Sequence, residues 1–367
     1  MCDPPGKPAA RMIYLDYQAT TPLAPEAREA MLPWLGGPDT TGFGNPHSAH
    51  RLGRMAAAAV ELAREQVAAL LPADGRVVFT GSATEAINLA IKGTRPQLRL
   101  ASAIEHAAVL DCIEALGGRI LPVAGDGVID PETALPDGPH LLAVMHVNNE
   151  IGTVQPVTRL AERVHERGGL LLCDAVQGYG RLPLPDGPDL IAISAHKIHG
   201  PKGIGALWVR DGVELEPLIH GGGQEQGLRS GTLSPALCAG FGAAAQVARE
   251  RLEMDAAHVE TLWRRGRELF AGWTLNGSAD QRYHGNLNLR REWLDVARLM
   301  SDVREVMFSA GSACASGSGR PSHVLRAVGL TDSQAKSSIR LGIGRYTTLA
   351  ELERAAEVIT VAAAQQG

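Results

Sequence analysis

Between residues 76 and 210, short runs that are apolar throughout alternate with stretches whose apolar residues recur every three or four positions. The runs at 76–80, 98–101, 140–147, 169–173, 190–194 and 204–209 predict strands. The periodic stretches at 83–92, 107–116 and 157–167 predict helices. A strand with no polar alternation is covered on both faces, so the pattern predicts an α/β domain built on a buried, mostly parallel sheet. An Ala-rich helix over 55–71 precedes this region. Further helices are expected over 235–254, over 255–269 and from about 349 onward. The change in pattern places a domain boundary near residue 251. Residues 17–251 are expected to form the large domain, and residues 1–16 plus 252–367 a smaller α+β domain.

In open α/β sheets, ligands bind beyond the carboxyl ends of the strands. The residues just after four of the predicted strands are Gly81-Ser82-Ala83-Thr84-Glu85, Asn148-Asn149-Glu150, Asp174-Ala175-Val176-Gln177 and Ala195-His196-Lys197. Hydroxyls, amides, a carboxylate, an imidazole and a lysine thus converge on one sheet edge, which marks a candidate site.

Composition removes several alternatives. The formal charge is −5 and the arginines are scattered, so no basic stripe is available for nucleic acid. No apolar run reaches the ~18 residues that cross a bilayer. The N-terminal segment has no apolar stretch of the signal-peptide kind, so a cytoplasmic protein is expected. The five cysteines are odd in number and far apart, with no C-x-x-C pair. A disulfide framework and a zinc site are therefore not expected, and no metal ligands are proposed.

Of the 35 basic residues only five are lysines, at 7, 92, 197, 202 and 336. Arg stays protonated, whereas Lys can act as an amine nucleophile. Lys197 directly follows an apolar strand, where desolvation favours its neutral form and Schiff-base chemistry. Lys202, in Pro-Lys-Gly, reads as a loop cation. Asp174 ends another apolar strand, and a buried carboxylate needs a cation. The protonated ring nitrogen of pyridoxal phosphate would be such a partner, and a Lys with an Asp is the pair expected of that cofactor. A simple capping role for Asp174 is the alternative. Ser82, Ala83 and Thr84 open a helix whose N–H groups attract phosphate. His106 could stack on a flat ring or transfer a proton. Cys112, Cys173 and Cys238 lie in apolar patterns and read as buried and inert. Cys314 sits in the small-residue stretch 309–322, where a thiol can be exposed and nucleophilic, although an incidental loop Cys remains open.

The segment Ser194-Ala-His-Lys-Ile-His-Gly-Pro-Lys-Gly-Ile-Gly205 resembles the cofactor-lysine region of cysteine desulfurases in the class V aminotransferase family. So do Tyr14-Leu-Asp-Tyr-Gln-Ala-Thr-Thr-Pro22, Gly44-Asn-Pro46, Met145-His-Val-Asn-Asn-Glu-Ile-Gly152, Arg229-Ser-Gly-Thr-Leu233, Gly311-Ser-Ala-Cys314 and Ser337-Ser-Ile-Arg340, in the same order. The resemblance extends from about residue 13 to 360. It is to the group I enzymes of the nitrogen-fixation and general iron–sulfur type. One departure is the order Gly81-Ser82, where the family commonly has Ser-Gly.

The resemblance implies a fold-type I homodimer with pyridoxal 5′-phosphate, and a small domain that carries the catalytic Cys loop. It implies Lys197 as the Schiff-base lysine, Asp174 against the ring nitrogen, His106 stacked on the ring and Gln177 bonded to the ring hydroxyl. Ala83, Thr84, Ser194 and His196 would hold the phosphate, joined by Thr232 from the partner subunit. Asn149 and Arg340 would hold the substrate carboxylate, a task suited to the forked guanidinium. The implied reaction converts L-cysteine to L-alanine, leaving a persulfide on Cys314 that passes to a sulfur-acceptor protein, with a cluster-assembly scaffold as one such acceptor. A selenocysteine lyase, an aminotransferase of the same family and a non-catalytic sulfur carrier are the competing expectations.

Overall fold

The structure, a computed structural model, describes residues 12–311 and 322–366. Seven strands form its central sheet, in the order Gly75–Thr80, Gly205–Arg210, Leu190–Ser194, Leu170–Asp174, His140–Met145, Leu98–Ser102 and Arg119–Leu121. All neighbours are parallel except Gly205–Arg210, which runs antiparallel to the strands on both of its sides. Every residue of Leu190–Ser194 and of His140–Met145 is buried. That burial on both faces is why their sequence shows no polar alternation.

Helices cover the sheet with one apolar stripe each. Val157–Glu166 buries Val157, Leu160, Ala161 and Val164, the spacing of one helical face. Ala83–Gly93 is started by Ser82, whose hydroxyl accepts from the Glu85 N–H at 3.2 Å.

A second core lies around a four-stranded antiparallel sheet ordered Ser309–Ala310, Ser338–Gly342, Asn286–Arg290 and Thr274–Leu275. Helix Leu349–Ala364 packs on it through Leu352, Ala355, Ala356 and Ile359. Chain positions 13 and 15 also belong to this second core, far from it in sequence.

The expected break between helices 235–254 and 255–269 is absent. Pro235–Leu269 is one helix of 35 residues. Its first half buries Cys238, Phe241, Ala244, Ala245 and Ala248 in the large core, and its second half buries Leu262 and Trp263 in the small one. No Gly or Pro interrupts residues 243–265, so nothing in the backbone chemistry forces an end there. The change of apolar face marks a change of partner. Among the described residues no helix is long and apolar enough to cross a membrane, and no group of three His, Cys, Asp or Glu side chains is arranged to hold a metal ion.

Candidate active site

A cavity of about 770 Å³ opens at the carboxyl end of the central sheet, between it and the small core. Its wall includes Ala83, Thr84, His106, Asn149, Asp174, Gln177, Ser194, His196, Lys197 and Arg340, so ten of the sequence-derived site residues meet there. Two do not. Thr232 is exposed and is not part of this wall. Cys314 lies outside the described residues.

Lys197 closes a single 3₁₀ turn, Ala195–Lys197, directly after strand Leu190–Ser194. The turn is held by the segment around Thr21. Thr21 donates from its N–H and its hydroxyl to the His196 carbonyl, at 3.0 and 2.9 Å. The Thr21 hydroxyl oxygen in turn accepts from the His199 N–H at 2.8 Å. His199 adopts φ = 69°, a left-handed conformation that reverses the chain after the lysine. Lys197 Nζ then donates to the carbonyls of Gln18 and Ala19, at 2.5 and 2.8 Å. Burial lowers its pKa to about 7, helped by Arg181 and Arg340 and opposed by Asp174 and Asp16. An amine with that pKa is about half unprotonated at neutral pH, where an ordinary lysine is almost wholly charged.

Asp174 ends strand Leu170–Asp174 with only 6% of its surface exposed. Its Oδ1 accepts from the Val176 N–H at 3.0 Å, and among the described residues its side chain has no other hydrogen-bond donor. The chain continues from it into a turn rather than a helix, so the simple capping role fails. Burial pushes its carboxyl upward, and the nearby His106 and Lys197 pull it back. A cation presented from the cavity would complete it.

His106 starts helix Ala107–Ala115, and its Nδ1 accepts from the Ala108 N–H at 3.1 Å. Burial lowers its pKa, so the neutral ring carries its proton on Nε2. His196 is lowered to about 4 by burial and by the cations Lys197, Lys202 and Arg181, and its Nδ1 meets the Thr20 hydroxyl at 3.1 Å.

At the start of helix Ala83–Gly93 the N–H groups of Ala83 and Thr84 face no acceptor among the described residues. Gly81 and Glu85 brace this turn, with the Gly81 N–H donating to Glu85 at 2.7 Å and Arg229 pairing with the same carboxylate at 2.7 Å. Gly205, on the neighbouring strand, lets the turn approach. A Cβ there would stand 2.7 Å from Ala83 N and Ser82 C.

The family model described as "Aminotransferase class-V" matches residues 13–355. "Cysteine desulfurase IscS" of Rickettsia felis is 44% identical over 372 residues, which takes in 95% of this chain and 90% of that protein.

The chain belongs to the class-V aminotransferases.

Two solved structures add the three-dimensional likeness. A "NifS-like protein" superposes with a TM-score of 0.86 at 31% identity, over 95% of this chain and 99% of that one. "SspA in complex with cysteine" gives 0.76 at 34% identity, over 91% and 99%. As a class-V aminotransferase the protein is a pyridoxal-phosphate enzyme of the α/β class. The cavity fits that cofactor. Among the described residues it offers a poised amine at Lys197, a buried carboxylate with an acceptor to spare at Asp174, a neutral ring at His106 and two unpartnered N–H groups at Ala83 and Thr84.

Other residues of this class-V site carried no role in the sequence. Gln18 and Ala19 hold the lysine by backbone carbonyls, which no side-chain motif announces. Gln18 also takes a bond from Gln177, whose amide is engaged on both ends. It donates to the Gln18 carbonyl at 2.9 Å and accepts from Arg181 at 2.9 Å. Glu105, wholly buried beside His106, accepts from the Ser102 hydroxyl and the Met145 N–H. Burial, with Asp174 nearby, pushes it up to about 8, so it is a neutral acid at pH 7. Its place just before His106 was the available signal.

Proposed function

We propose that this class-V aminotransferase is a cysteine desulfurase that converts L-cysteine to L-alanine and delivers the sulfur, through a persulfide on Cys314, to an acceptor protein for iron–sulfur cluster assembly or related sulfur transfer. The observation that carries the reading is the 44% identity, along 95% of the chain, to a protein named as a cysteine desulfurase. The convergence of Lys197, Asp174 and His106 on one cavity supports it.

Bound pyridoxal phosphate supplies an electron sink for the carbanion formed when the substrate α-proton leaves. The chain does the rest. Lys197 Nζ would hold the cofactor and, as a free amine, is a base of suitable pKa for the α-proton. Asp174 keeps a positive charge on the ring nitrogen favourable. His106 covers the ring and holds a proton at Nε2. Ala83, Thr84, Ser194 and His196 take the phosphate, and Gln177 takes the ring hydroxyl. Asn149 and Arg340 orient the substrate carboxylate. The Cys314 thiolate attacks the substrate sulfur, and the electron pair of the broken C–S bond stays on the carbon skeleton that leaves as alanine. The working form is a cytoplasmic homodimer whose partner subunit contributes Thr232 to the phosphate, with residues 17–251 as the cofactor domain and 1–16 plus 252–367 as the domain bearing Cys314.

The test is to load the protein with pyridoxal phosphate and supply L-cysteine with a reductant. Alanine and sulfide should form in equal amounts. A Cys314→Ala variant that still makes sulfide at the normal rate overturns the persulfide step. A protein that yields no sulfide from cysteine overturns the reading itself.

A further inference from the structure

Three turns meet on the Lys197 amine, and a single side chain outside the cavity touches all of them. The turns are 16–19, whose carbonyls accept from Nζ, 174–181, which carries Asp174 and Gln177, and 195–197, which carries the lysine. Arg181 Nη1 donates to Gln177 Oε1 at 2.9 Å. Its Nη2 donates to the Tyr17 carbonyl at 3.3 Å and also to the carbonyl of Lys197 itself. The guanidinium lies over the ring of Tyr283, 5.7 Å from its centre, and borders a small separate cavity with Tyr17, His199 and Arg345. Arg181 is not part of the wall of the main cavity.

We propose that Arg181 is a positioning residue for Lys197, clamping the three turns that aim the amine and fixing a positive charge behind it. The planar fork matters, because one group must serve acceptors on three separate segments. Gln18 closes the arrangement, since its carbonyl accepts from both Gln177 Nε2 and Lys197 Nζ. The charge acts in the same sense as the clamp. Around the amine stand the cations Arg181 and Arg340, the carboxylates Asp174 and Asp16, the imidazoles His106 and His196, and Lys202 beyond them. Taking one cation from this set makes protonation of Lys197 easier.

The inference rests on the reading that Lys197 is the reactive amine, and its test is kept separate from that reading. The full-length protein freed of pyridoxal phosphate is labelled with trinitrobenzenesulfonate across a pH series, and modification of Lys197 is followed by peptide mass spectrometry. Arg181→Met should raise the labelling midpoint by about one pH unit, with labelling at pH 7 correspondingly slower. Arg181→Lys, which keeps the charge, should restore the wild-type midpoint. Because it cannot bridge three acceptors, the same variant loaded with pyridoxal phosphate should lose about tenfold in kcat with KM unchanged. An unchanged midpoint in Arg181→Met overturns the proposal. If Arg181→Met does not fold, an Arg181→Lys enzyme with wild-type kcat overturns it instead. Labelling reads the amine directly, whereas borohydride trapping of pyridoxal phosphate on wild-type Lys197 tests the cofactor assignment, so the two failures are distinguishable.

Discussion

Arg340 and Asp16 pair on the cavity wall at 2.7 Å, with the guanidinium almost wholly buried and the carboxylate partly open to the cavity. Arg340 also donates to the Asn149 carbonyl at 3.1 Å and to the Ser309 hydroxyl at 3.2 Å. A substrate carboxylate that binds Arg340 therefore enters a site where Asp16 already holds one arm of the fork, and the two carboxylates compete. Arg340→Lys keeps the charge without the fork, so KM for L-cysteine should rise about tenfold and kcat should change less. Steady-state kinetics decide it, and an unchanged KM removes Arg340 from substrate binding. Asp16→Asn leaves a buried cation with a weaker partner and should lower stability by about 1–3 kcal/mol, read as a fall in Tm.

The amine of Lys197 sets a pH dependence of known sign. With its pKa near 7, Nζ is protonated and unable to attack below that pH and free above it. The rate at which the cofactor-free protein captures pyridoxal phosphate should rise about tenfold per pH unit up to about pH 7 and level off above it. Stopped-flow absorbance follows this directly. A plateau reached only near the pKa of an ordinary lysine contradicts the buried, cation-flanked environment described for the amine.

Asp174→Asn keeps the shape of the side chain and its bond to the Val176 N–H while removing the charge. Stability should be unchanged or improved, because a buried carboxylate is costly on its own. The kcat should nonetheless fall by at least about a hundredfold, as expected when preorganised charge is taken from a reacting centre. Equal losses of stability and rate would mean that Asp174 serves the fold instead.

Gly205→Ala tests the proposed phosphate-binding turn without removing any polar side chain. The added methyl meets backbone atoms of Ser82 and Ala83 at 2.7 Å and the Ile193 carbonyl at 2.8 Å, so the turn must move. Affinity for pyridoxal phosphate should fall about tenfold by equilibrium dialysis, a displacement effect on N–H groups that depend on alignment.

How far the sequence carried these conclusions depended on where each contact was made. The strands of the sheet are apolar on both faces, so the strands around Leu190–Ser194 and His140–Met145 were legible, as were the polar residues just past their ends. Edge strand Arg119–Leu121 was not, because two of its three residues are exposed and its side chains show no buried run. The single helix Pro235–Leu269 looks like two in the sequence because its apolar face shifts where its partner core changes. At the site, Lys197, Asp174 and His106 stood out by residue type and place. Gln18 and Ala19 act through carbonyls. Arg181 acts through carbonyls 16 and 164 residues away in the chain, apart from its bond to nearby Gln177. Backbone acceptors leave no mark in side-chain chemistry, so only the folded chain reveals them.

The helix Pro235–Leu269 passes from one hydrophobic core into the other, and its middle is gripped from the side, with Arg345 on Asp255 at 2.7 Å and His258 on the Thr347 carbonyl at 2.8 Å. Such a beam transmits strain between the bodies it joins. Melting either core strips the helix of half its packing and leaves the remainder as a long, poorly supported rod, so the two halves of the molecule should unfold in one cooperative calorimetric transition. The same beam ties the two walls of the cavity together, because the helix packs in both cores and its side contacts to Arg345 and Thr347 hold it against the small one.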